Sequence, residues 1–76
     1  MPSSVIKSFR YDADHARLTV VFTTGRVYEY YAVPAETNAA FAAAVSKGTF
    51  FNTRIRDQFP FKDVTPPGTP YIRQIN

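Results

Sequence analysis

The 76-residue chain has no cysteine and one histidine, His15. A domain this short buries only a modest share of its surface, and many such domains are stapled by disulfides or a metal. Neither staple is available here, so the core must supply the stability. The absence of cysteine fits a reducing compartment. Only three glycines occur, Gly25, Gly48 and Gly68, too scattered to form a phosphate-cradling loop. No apolar run approaches the length of a bilayer span. The opening "MPSSVIKSFRYD" lacks the basic-then-apolar pattern of a signal peptide, so a soluble, cytoplasmic protein is expected. Six acids are spread along the chain without an obvious acid–base pair. His15 lies in "DADHAR", which reads as a solvated turn; Asp12, Asp14 and His15 do not make a closed coordination shell. No catalytic residue, metal or cofactor is expected, and the chain reads as not an enzyme.

Aromatic residues are plentiful: seven Phe and five Tyr. Large rings bury much area each and can build a small core. "SVIKSFRY" (4–11) is rich in strand formers. "RLTVVFTT" (17–24) alternates, placing Leu18, Val20 and Phe22 on one face. Gly25 supplies the positive-φ residue of a hairpin into "RVYEYYAV" (26–33), where Tyr28 and Tyr30 share a face. Val27, Glu29 and Tyr31 fall on the other. Ile6 and Phe9 lie three apart, so a bulge or early bend is needed in the first strand.

Pro34 suits a helix start. "AETNAAFAAAVSK" (35–47) is helix-prone, with Phe41 and Val45 as its apolar stripe, Lys47 at the negative end of its dipole and Gly48 as its stop. "TFFNTRIRDQ" (49–58) predicts a second helix, capped by Thr49, with Phe51, Ile55 and Phe59 recurring every four residues. Pro60 ends it near Gln58. The expected fold is α+β: a three-stranded antiparallel meander followed by two α-helices packed on one face. Residues 1–64 form one domain; 65–76 form a proline-rich tail, with Tyr71 and Ile72 able to dock it.

The net charge of +3 is unevenly placed. Residues 47–62 hold four bases and one acid, whereas the rest of the chain balances five against five. That segment therefore carries the whole excess, which points to an anionic partner. If Phe51 and Ile55 face inward, Asn52 and Arg56 stand side by side and Arg54 leans out on the other flank. Lys47 and Lys62 complete a basic rim. Lys47, Asn52, Arg54, Arg56 and Lys62 are the candidate nucleic-acid-binding residues, since bases hold phosphates and Asn can read a base edge or sugar hydroxyl. A purely structural role for Asn52 and Arg56 stands beside this reading. Tyr28 and Tyr30 resemble the stacking platforms of single-strand binders, but the need to cover one sheet face argues that they are core.

Three ordered blocks, "SVIKSFRYD", "LTVVFTTGRVYEYYAVP" and "SKGTFFNTRIRDQFPF", make the chain resemble the KTSC domain. That module is named after the C-terminal extension of some lysyl-tRNA synthetases and also occurs as a stand-alone bacterial protein. Its motif falls on Tyr28, Tyr30, Ser46, Lys47, Gly48, Phe51, Asn52, Ile55 and Arg56. The resemblance implies a small module whose link to RNA comes from its attachment to a synthetase. The expected partner is nucleic acid, RNA favoured over duplex DNA. The alternative is a protein-interaction adaptor using the open sheet face, a sheet edge and the tail.

Overall fold

The structure, a computed structural model, describes residues 5–67. Strands β1 (Ile6–Asp12), β2 (Arg17–Phe22), β3 (Val27–Tyr30) and β4 (Phe61–Asp63) form one antiparallel sheet in the order β1-β2-β3-β4. Between β3 and β4 run helix α1 (Ala35–Ala43), a short helix α2 (Lys47–Phe50) and a π-helical segment, Phe51–Ile55.

The first strand carries the anticipated irregularity. Ile6 pairs with Phe22 and Ser8 with Val21, so Lys7 is the extra residue. The bulge puts Ile6 and Phe9 on the same face, where both pack against the core. Gly25, at φ 96°, closes the β2–β3 hairpin, and its N–H donates to the Phe22 carbonyl at 2.9 Å. A left-handed backbone of this kind costs glycine nothing.

Cross-strand partners share a face, so the register lays out both sides of the sheet. Leu18, Tyr30 and Phe61 form one row; Val20, Tyr28 and Asp63 form the next. The helices cover this face. Leu18, Val20, Tyr30, Val33, Phe41, Phe51 and Ile55 make the buried core. Phe9 meets Phe41 with ring centroids 4.2 Å apart, and Phe51 meets Tyr30 edge-on at 5.5 Å. Tyr11 fastens the α1 approach by donating its hydroxyl to the Val33 carbonyl at 2.6 Å. The other face carries Arg10, Thr19, Glu29 and Lys62 in a row. Tyr31 donates to Glu29 there at 2.9 Å, a bond that raises the Tyr31 phenol's pKa.

Five expectations need correction. The sheet has four strands, not three. Phe61–Asp63 is exposed along its length and shows no inside–outside alternation, so it reads as a lead into the tail. What recruits it is tertiary: Phe61 stacks on Tyr28 and Tyr30, and the Tyr31 N–H finds the Pro60 carbonyl at 2.9 Å.

The first helix stops at Ala43, with Ala44 extended at φ −65°, ψ 139°. Val45 is fully exposed, which leaves Phe41 as the helix's buried anchor. The cap of the next helix is Ser46, not Thr49: the Ser46 hydroxyl accepts the Thr49 N–H at 3.2 Å. A serine three residues before an unpaired N–H satisfies one orphan donor, and that local gain breaks the alanine-rich run. Gly48 is buried inside α2 rather than ending α1.

The second helix is also not a regular α-helix. After one turn it widens, and the Arg56 N–H donates to the Phe51 carbonyl, five residues back, at 2.8 Å. Phe51 and Ile55 still face inward as expected, at 4 % and 0 % exposure. Thr65, at the start of the expected tail, accepts the Val27 N–H at 2.9 Å. Tyr71 and Ile72, the expected docking residues, lie outside the described residues.

Candidate nucleic-acid interface

The structure does not gather the five predicted residues into one rim. Lys47 begins α2, and its ammonium donates to the Ala44 carbonyl at the end of α1, 2.9 Å away. A cation at a helix C-terminus is stabilised by the exposed carbonyls, so this lysine has a structural post. Arg54 lies on the Phe50 flank, its guanidinium 5.3 Å from that ring's centroid. Lys62 sits opposite Glu29 on the far face of the sheet. Only Asn52 and Arg56 come together, on the side of the π segment that faces the β2–β3 hairpin.

They meet there at a groove of 430 Å³, a size within the usual range for ligand sites. Phe22, Tyr28, Tyr30 and Phe51 contribute its aromatic lining. The rings brace one another: Phe22 meets Phe51 at 5.3 Å and Tyr28 at 5.5 Å, both edge-on. Val5, Thr23, Thr24 and Arg26 complete the side nearest the hairpin. Arg56 follows directly on the π turn and stands at the groove's lip.

The two guanidiniums at the groove differ. Arg26 donates to Asp63 at 2.7 Å. The Asp63 carboxyl is held below the usual carboxylate value by hydrogen bonds from Thr65, with Arg26 nearby adding to the effect. Arg56 is exposed, and its side chain makes no hydrogen bond or ion pair among the described residues. Tyr30 is 1 % exposed yet lines the groove, and its hydroxyl has no hydrogen-bond partner among the described residues. Burial pushes its phenol up to about 12, with Tyr28 adding to the rise and Arg56 opposing it. Tyr30 therefore stays neutral at physiological pH, offering a donor and an acceptor.

Beyond Arg56 lies a second, shallower depression lined by Arg56, Gln58, Phe59 and Phe61, with Asp57 among its walls. Phe61 is 53 % exposed while one face of its ring stacks on Tyr28 and Tyr30. Sequence reasoning placed Phe22, Tyr28 and Tyr30 on the covered face and assigned Arg26 and Phe61 no role in binding. The strand alternation did put Phe22, Tyr28 and Tyr30 on one face. The missing information was that part of that face, beside the hairpin, stays open as a groove.

The His15 loop is occupied with its own contacts. His15 Nδ1 lies 2.8 Å from Asp12, which also accepts from Arg17 at 3.3 Å. These contacts, His15 first, lower the Asp12 carboxyl below its usual value. Among the described residues no group of three His, Asp or Glu side chains is placed to hold a metal ion, and no helix is long and apolar enough to cross a membrane.

Comparison with known proteins places the chain. Residues 2–59 match the KTSC domain. A lysine–tRNA ligase from Nostoc punctiforme is 40 % identical over 62 residues, which is 82 % of this chain and 11 % of the ligase. The chain thus spans about a ninth of the ligases it matches. An uncharacterised protein from Stutzerimonas stutzeri is 38 % identical over 58 residues, covering 76 % of this chain and 82 % of that protein. The crystal structure of a KTSC domain protein from Yersinia pestis superposes with a TM-score of 0.79 at 36 % identity, covering 84 % of this chain and 90 % of its own. With the family's sequence pattern and its three-dimensional form both present, the chain belongs to the KTSC domain family.

Proposed function

We propose that this domain is a non-catalytic, RNA-binding module of the cytoplasm, and that its binding surface is the groove between the β2–β3 hairpin and the π segment. The observation that carries this reading is the pairing of an aromatic-lined groove with the unengaged guanidinium of Arg56 and the exposed amide of Asn52 at its lip. Aromatic faces take bases, guanidinium groups take phosphates, and an amide can bond a base edge or a ribose hydroxyl. Kinship with a segment of lysine–tRNA ligases supports RNA as the polymer. The basic contribution is narrower than the charge count implied, because Lys47 is tied to a helix end and Lys62 faces the opposite side.

Labelled tRNA, single-stranded RNA and single-stranded DNA of matched sequence are titrated with the full chain at 50 mM and 200 mM salt. RNA binding that weakens with salt and exceeds that of DNA is expected. Flat traces for every RNA at the lower salt refute the reading.

A further inference from the structure

Resting on the RNA reading above, we infer that the surface holds a two-nucleotide step of unpaired RNA. One base enters the groove against Tyr28 and Phe51, the next stacks on the exposed ring of Phe61, and Arg56 between them takes the joining phosphate. Three independent features converge on this arrangement. Arg56 lines both depressions, so one guanidinium stands between two aromatic surfaces. Val5, Val45 and Phe61 are the large apolar side chains left exposed among the described residues; Val5 edges the groove and Phe61 forms the shelf beyond Arg56. Tyr30, almost wholly buried, brings to the groove a hydroxyl with no partner among the described residues. That hydroxyl can donate and accept, and a base edge supplies both donors and acceptors.

The geometry also limits the footprint. Asp57 lines the far depression, and its carboxylate repels a phosphate placed beyond the second base. At the other end, Arg26 is engaged with Asp63 and adds less positive field than a solitary guanidinium. A duplex is excluded by the same features, because paired bases cannot present a face to the groove or to Phe61.

The test uses the full chain and a labelled single-stranded RNA of fixed length. It is compared with the same RNA carrying two adjacent abasic residues, and with its duplex. Phe61→Leu keeps the apolar bulk and removes the ring, while Lys62→Ala removes a neighbouring charge on the other face. Thermal melts confirm that both variants fold. Asn52→Ala, at an exposed position, serves as a second groove variant.

The expected result is about a tenfold or greater loss of affinity for Phe61→Leu and for the abasic RNA, the scale of one lost base–aromatic stack. Lys62→Ala changes little, and aromatic ¹³C shifts move at Tyr28, Phe51 and Phe61. RNA binding that is indifferent to the abasic residues, to Phe61→Leu and to Asn52→Ala overturns the two-base step while leaving an RNA-binding domain. Equal affinity for the duplex overturns it as well. Loss of all RNA binding at low salt removes both this inference and the reading beneath it.

Discussion

Replacing Arg56 with alanine separates a phosphate contact from a structural one. The side chain is exposed and has no ion pair among the described residues, so stability should change by no more than about 0.5 kcal/mol. RNA binding should change, and by an amount that depends on salt. Each phosphate neutralised on a single strand contributes about 0.7 to the slope of log affinity against log salt. Arg26 is partly neutralised by Asp63 and Lys62 faces away, so Arg56 should account for close to one whole contact. A fourfold rise in salt, from 50 to 200 mM, then shrinks the wild-type advantage over the variant about 2.6-fold. Fluorescence anisotropy at four salt concentrations gives both slopes, and urea melts give stability. Equal slopes for wild type and Arg56→Ala would show that Arg56 does not touch the backbone. A larger slope change in Lys62→Ala would move the binding surface to the other face of the sheet.

Ile55→Ala removes a wholly buried side chain from the core centre and should cost about 2–5 kcal/mol, enough in a 76-residue chain to leave a large unfolded fraction by circular dichroism. Tyr11→Phe strips the Val33 carbonyl of its 2.6 Å donor and should lower stability by about 1 kcal/mol in chemical denaturation. Val45→Ser, at a site fully exposed despite its apolar spacing, should shift the melting midpoint little; a large drop would mean that Val45 is packed in solution. The Asp63 carboxyl has a lower pKa folded than its usual 3.8, chiefly through the Thr65 hydrogen bonds. Its contribution is therefore present above pH 3.8 and is lost as the pH falls through the folded value. Thr65→Ala should flatten that acid limb of the stability curve, and an unchanged limb would contradict the assignment.

Several features could be read from residue spacing because they are local. Alternation over residues 17–24 assigned Leu18 and Val20 to the core, and both are fully buried. The three-residue gap between Ile6 and Phe9 demanded a bulge, and the register shows one at Lys7. Glycine at position 25 marked the hairpin. Phe51 and Ile55 announced the inward face of the last helical segment through their spacing alone. Of the five residues expected to bind, Asn52 and Arg56 reach the groove, and the strand alternation put Phe22, Tyr28 and Tyr30 on the face that lines it.

Spacing within one element says which side chains share a face. It does not say where another element will end against that face. The strand pattern and the inward phenylalanine and isoleucine were matters of local periodicity, which the chain carries residue by residue. Recruitment of Phe61–Asp63 as a fourth strand, the widening of the last helical segment to a π turn, the turning of Lys62 to the opposite side and the opening beside Tyr28 were decided by tertiary packing. Each depends on rings and backbone groups far apart in sequence, such as Phe61 against Tyr28 or the Pro60 carbonyl at Tyr31, whose contact exists only once the layers have met.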